Sequence, residues 1–177
     1  MSLENLKRRF VRVLRSIFKK KKRRGLNMNW KDMEWDYVEE LESDSIIEEF
    51  EAFVGYTFPE DYKECVKLYN GGAPEYTDFD VKNESIGTTC IDYLYSFNKD
   101  ASESIWDLYG WDEFCEETEG LIGKYIAFAG DSGGNSLCFD TETNHIVFVD
   151  HETLEIEELA DTFTEFINLL YEYEDED

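Results

Sequence analysis

Proline and histidine each occur twice in the 177 residues, and no uncharged run exceeds eight residues, Ala52–Pro59 and Ser132–Phe139 being the longest. A membrane-spanning helix needs about 20 consecutive apolar residues, so none is expected. Basic residues are scarce beyond the amino terminus. Met1–Arg24 holds 11 of the 17 Lys and Arg and one of the 42 Asp and Glu, a charge of +10; the rest carries 6 bases against 41 acids, or −35. A body of that charge repels phosphate backbones and anionic head groups, which excludes nucleic-acid reading outside the first 24 residues. Cys65, Cys90, Cys115 and Cys138 lie at least 23 residues apart. That spacing suggests neither a zinc site nor a redox dithiol, and reduced, mostly buried thiols in a cytoplasmic protein are expected. Lys7, Arg8, Arg9, Arg12 and Arg15 interrupt Leu3–Phe18, so no apolar signal core follows the basic start.

What is present is enough for a packed core. Apolar residues make up 42% and aromatic residues 16%, unlike a disordered acidic chain, which lacks aromatics. Leu3, Leu6, Phe10, Val13, Leu14, Ile17 and Phe18 recur at helical spacing, with Arg8, Arg9, Arg12, Arg15 and Lys19 on the other side. This predicts a basic amphipathic helix, followed by the polybasic run Lys19, Lys20, Lys21, Lys22, Arg23 and Arg24 and a linker at Gly25. Residues 1–25 therefore read as an arm and linker and 26–177 as a domain. Within the domain, helices are expected over Trp30–Glu42, over Ile46–Val54 from a capping box at Ser45–Glu48, and after Pro59 up to Asn70-Gly71-Gly72. Strands are expected at Phe79–Val81, Cys90–Phe97, Tyr125–Ala129, Ser136–Asp140 and His145–Asp150, the last three as a meander. Ser102–Glu117 has a helical tendency, and a final helix starts near Thr162 with a second capping box and a stripe of Phe163, Phe166, Ile167 and Leu170. Strands grouped between helices predict an α+β fold with an antiparallel β-sheet flanked by helices.

Candidate chemistry is sparse. Gly130-Asp131-Ser132-Gly133-Gly134-Asn135 nearly reproduces the motif around a chymotrypsin-like nucleophile, yet His145 and His151 lie downstream of the serine, where that mechanism places no base. A glycine-rich turn is the simpler reading. The calcium-loop spacing is absent around Asp131, Asn135 and Asp140, and His145 and His151 with Asp150 and Glu152 offer no third ligand at metal-site spacing. No carboxylate pair stands out as a general acid and base, so neither an enzyme, a metal nor a cofactor is expected.

The order of elements resembles the SUKH superfamily, the domain of fungal glucan-synthesis regulators and of many bacterial immunity proteins. The likeness spans about Asp44–Tyr171. It rests on Ile46–Val54, Phe58-Pro59-Glu60-Asp61-Tyr62 leading to Tyr69-Asn70-Gly71-Gly72, and Ile126–Asp131 with Gly133-Gly134-Asn135. It continues through Leu137–Asp140, Val147–Val149, Asp150-His151-Glu152, and Phe163 with Phe166. The arm has no counterpart in that domain. The resemblance implies a non-catalytic binding protein, in bacterial members an immunity protein masking a toxin, often a nuclease; a regulatory adaptor of cell-wall or signalling pathways is the alternative. The charge agrees, because nuclease sites are basic and an acidic body can steer onto them and occlude them. Loops flanking the sheet place Asp78, Asp80, Glu113, Glu116, Glu117 and Glu119 as the expected contact set for a basic toxin domain. The arm's cations are expected to meet an anion: a membrane surface, a nucleic acid, or the acidic body itself.

Overall fold

The computed structural model describes residues 20–24, 30–83, 85–109 and 123–175. The predicted amphipathic helix, Cys115, and the later part of the Ser102–Glu117 segment lie outside the described residues. Among the described residues, three α-helices pack on an antiparallel eight-stranded sheet, as the sequence pattern predicts for an α+β fold. No described helix is long and apolar enough to cross a membrane.

The strands are β1 (Lys20–Arg24), β2 (Trp35–Asp36), β3 (Ala73–Pro74), β4 (Asp78–Asp80), β5 (Thr88–Leu94), β6 (Tyr125–Asp131), β7 (Ser136–Asp140), β8 (Ile146–Val149), β9 (Ile156–Ala160) and β10 (Tyr171–Asp175). The large sheet runs β1-β10-β4-β5-β6-β7-β8-β9, while β2 and β3 form a separate pair. The expected meander β6–β7–β8 is present, joined through β9 at one edge. Alternation along β5 is not continuous: register shifts between Ile91 and Tyr93, and Cys90, Ile91 and Leu94 are buried while Tyr93 is not. An extra residue in one strand of a pair flips the faces that follow it.

Helix α1 (Ser45–Val54) buries Ile46, Ile47 and Phe50, but its cap differs from the expected box. Asp44 occupies the cap position, and Ser43 Oγ accepts from Ser45 N at 3.0 Å. Helix α2 (Glu60–Tyr69) begins after Pro59, whose missing N–H costs nothing there, and buries Tyr62, Cys65 and Val66. Helix α3 (Phe163–Leu169) has the expected cap, with Thr162 Oγ1 accepting from Glu165 N at 3.1 Å. Asp61 Oδ2 adds two bonds from Thr164, to its N and its Oγ1, each 2.9 Å, so α2 fastens the first turn of α3.

One aromatic cluster joins the helices to the sheet. Tyr62 of α2 lies 5.0 Å from Phe139 of β7 and 5.2 Å from Phe163 of α3, ring centre to ring centre. Phe128 of β6 lies 4.8 Å from Phe139, and Phe50 of α1 meets Phe97 edge-on at 5.7 Å. Such offset and edge-on pairs add to the area buried. The strands alternate between two faces, so Ile146 and Phe148 join this core while Val147 and Val149 bury the opposite face with Cys138.

The Trp30–Glu42 segment is not a helix. After a 3-10 turn at Trp30–Asp32 it runs extended over the end of α2, where Trp35 stacks on Tyr69 at 5.1 Å and Trp30 meets the same ring edge-on at 6.2 Å. Glu39 N donates to Asn70 O, and buried Asn70 donates to Ser96 Oγ, which donates to Glu39 Oε2. Tertiary partners outside the segment hold it extended against its helical spacing. Within the Ser102–Glu117 segment, Ile105–Leu108 forms a 3-10 turn capped by Ser104.

The polybasic run differs most from expectation. Lys20–Arg24 forms β1, antiparallel to β10, with Lys20 opposite Asp175 and Arg24 opposite Tyr171. The change in composition at Gly25 therefore follows a strand that joins the sheet of the domain.

Candidate functional site

The glycine-rich string closes the β6–β7 hairpin, and Asp131 is its centre. Oδ1 accepts from Gly133 N and Asn135 N, both at 2.8 Å, and Oδ2 accepts from Asn135 Nδ2 at 2.8 Å and Thr89 Oγ1 at 2.6 Å. Gly134 adopts φ +95°, a conformation that side chains with a Cβ rarely take. At Gly130 a Cβ would lie 2.6 Å from the Tyr95 hydroxyl, so a larger residue there would have to displace the tip of that side chain.

This geometry does not assemble a serine protease. Asp131 holds the turn rather than an imidazole. His151 is attached to Asn135 instead, its backbone N and Nδ1 each 3.0 Å from Asn135 Oδ1, and Ser132 Oγ lies 3.6 Å from Cys90 Sγ. A triad requires a carboxylate orienting the base and the base reaching the nucleophile. Ser132→Ala is expected to leave the melting temperature nearly unchanged, and a fluorophosphonate probe is expected to label neither protein. Labelling that disappears in the variant would contradict this.

The two histidines go to different partners. His145 Nδ1 approaches Glu158 Oε2 at 2.9 Å, an ionic approach rather than a well-aligned hydrogen bond. His145, Glu158 and Asp161 place ligand atoms within 4.8 Å of one another, the grouping among the described residues that could hold a metal ion. Two of the three, His145 and Glu158, form the ion pair. Asp150 Oδ1 accepts from Thr153 N at 3.0 Å and Glu152 N at 2.8 Å, and these bonds, Thr153 first, hold its carboxyl below the ordinary range. The Glu158 carboxylate pushes the His145 imidazolium above its ordinary pKa. A raised folded-state value stabilises the fold below the unfolded pKa, and that contribution is lost as pH rises through the folded one. In an NMR titration, His145 is expected to titrate above the ordinary histidine value, and Glu158→Gln to bring it back down. An unshifted midpoint in the unaltered protein would refute the pairing.

Burial makes the Cys65 and Cys138 thiols poor nucleophiles. Cys138 is pushed up to about 12 by burial alone, and Cys65 is raised further by burial with Asp61 nearby. Cys65, Cys90 and Cys138 are all buried and unbridged.

The expected contact acids separate. Asp78 and Asp80 do not sit on a flanking loop but within β4, because Phe79 between them is buried and pairs the strand to β5. Asp80 Oδ1 accepts a short hydrogen bond from the Tyr171 hydroxyl and lies 3.2 Å from Thr88 Oγ1, so its carboxylate helps root β10. Glu113, Glu116, Glu117 and Glu119 lie outside the described residues, as do Arg8, Arg9, Arg12, Arg15 and Lys19. Lys20, Lys21, Lys22, Arg23 and Arg24 are brought to the acidic carboxy-terminal strand. Sequence reasoning missed β1, β9 and β10; the one signal for the β1–β10 pair was the opposite charge of its two segments.

Residues 42–169 match the SMI1/KNR4 family (SUKH-1), and the chain belongs to that family. Comparison with curated proteins gives no match. The family is consistent with immunity or regulatory roles exerted through protein partners.

Proposed function

We propose that this protein is a cytoplasmic, non-catalytic immunity protein that neutralises a basic, nuclease-type toxin domain by covering it with an acidic surface. The observation that carries this reading is the −35 charge over residues 25–177 on a SUKH-1 scaffold. Solubility alone is served by a net charge of about 2 to 8 in magnitude for a small domain. A polyanionic body raises the rate of encounter with a cationic cleft and needs no chemistry to block it. The proposed contact set is Glu113, Glu116, Glu117 and Glu119 with Asp78 and Asp80 of β4. Arg8, Arg9, Arg12, Arg15 and Lys19 are proposed to hold the arm against an anionic surface, a membrane leaflet or nucleic acid, or against the body.

The second reading is a regulatory adaptor, which the SMI1/KNR4 match favours because that part of the superfamily includes regulators. Co-expression separates the two. Each protein encoded beside this gene is produced in a bacterial host with and without the chain. Restored growth for a toxic neighbour supports immunity. A toxic neighbour that kills equally in both cases contradicts it.

A further inference from the structure

The edge of β10 is where the sheet meets a strand with no apolar residue. β1 reads Lys-Lys-Lys-Arg-Arg, and its register sets Lys21 opposite Glu174, Arg23 opposite Glu172 and Lys20 opposite Asp175. β10 is rooted in the body at its first residue. Tyr171 is 1% exposed, pairs with Asp78 and donates its hydroxyl to Asp80, and this is the single register pair between β10 and β4. The edge is thus built by the body, whereas β1 reaches it from a stretch of opposite composition.

We propose that the β10 edge is a docking site for an extended basic segment of a partner protein, and that β1 is its internal competitor. An added strand gains affinity from main-chain hydrogen bonds, which are indifferent to sequence, while facing side chains select the partner. Opposite charges across a ladder select for bases here. β1 is composed only of Lys and Arg, so its departure gives up backbone bonds without uncovering an apolar residue of its own. A basic segment with additional contacts elsewhere on the body would displace β1, whereas an isolated peptide competes against a tethered strand at an effective concentration of roughly millimolar. The inference rests on the immunity reading only for the identity of the partner as a basic protein.

The test uses the full chain and a labelled synthetic peptide of its own residues 18–26, followed by fluorescence anisotropy at low salt. With Lys20→Glu, Lys21→Glu, Lys22→Glu, Arg23→Glu and Arg24→Glu combined, the internal strand is disfavoured. The peptide is then expected to bind at least about tenfold tighter than to the unaltered chain. Adding Glu172→Lys, Glu174→Lys and Asp175→Lys is expected to abolish that binding. Equal affinity for the unaltered and reversed chains overturns the proposal. If the reversed chain lacks a cooperative melt, hydrogen exchange on the unaltered chain decides. Saturating peptide should expose the amides of Lys20–Arg24 while Tyr171–Asp175 stay protected, and unchanged protection of Lys20–Arg24 overturns the proposal. Dimerisation of the unaltered chain that the β1 reversal abolishes would also overturn it, in favour of strand exchange between copies. A toxin neutralised equally well by unaltered and reversed chains would remove this inference and leave the immunity reading standing.

Discussion

Phe128→Ala is expected to destabilise the protein by about 3–5 kcal/mol and to abolish or sharply lower its cooperative melt. Phe128 is fully buried on β6, and its ring faces Phe139 at 4.8 Å, Tyr62 at 5.6 Å, Phe163 at 5.8 Å and Phe166 at 6.1 Å. One side chain thus touches β7, α2 and α3. These rings belong to different elements and are fixed by their own packing, so they cannot collapse together into the space left behind; the cavity adds to the lost transfer energy. Leu68→Ala on α2 is the control. Leu68 is 59% exposed, and its loss is expected to change stability by no more than about 0.5 kcal/mol. Thermal melts of both variants check the claim, and similar losses would show that the cluster is not the core.

Asp131→Asn is the second large effect, at about 3 kcal/mol, and it isolates charge from size. The carboxylate accepts four bonds, two from backbone N–H groups, one from a carboxamide and one from a hydroxyl. An amide in the same place has one acceptor oxygen; with that oxygen kept on the two backbone N–H groups, its NH2 can donate to the Thr89 hydroxyl but meets the Asn135 NH2 donor against donor. Hydrogen bonds to a charged group are worth about 1.5–3 kcal/mol, and a buried donor left unsatisfied carries its desolvation cost. Asn135 is tied to His151, so the disturbance is expected to travel one strand further. Hydrogen exchange at Asn135 and His151 should accelerate together. Unaltered exchange at both would mean that backbone bonds alone hold the hairpin.

The same residues explain what was legible in the sequence. Phe163, Phe166 and Ile167 read as a helix stripe because the pattern and the packing agree, and Pro59 bounded a helix for a local reason. The Gly130–Asn135 turn was legible as a turn, since only a turn uses glycines so placed. The edge strands were not. Ile156–Ala160 carries adjacent Glu157 and Glu158 and does not alternate, whereas Tyr171–Asp175 alternates aromatic with acid over four residues but is short and carries three acids, and was passed over. Their pairing is decided by neighbours, as β propensity generally is. Lys20–Arg24 has no alternation at all, and its strand form follows from the acidic strand opposite. The Trp30–Glu42 segment misled in the other direction, because its helical spacing is overridden by the Tyr69 stack and the Asn70–Ser96–Glu39 network. Of the expected contact acids, Asp78 and Asp80 were placed on a flanking loop although a strand was expected at Phe79–Val81; the strand starts one residue earlier and takes in both acids.

The proposal that this protein works as an acidic binder is tested most directly by the rate at which it associates with a toxic protein that co-expression identifies as neutralised by it, measured by stopped flow across ionic strength. Electrostatic steering predicts a rate that falls by about tenfold or more between about 0.05 and 0.5 M salt, with a further loss when Glu113, Glu116, Glu117 and Glu119 are reversed together to Lys. A rate indifferent to both salt and charge reversal would contradict it.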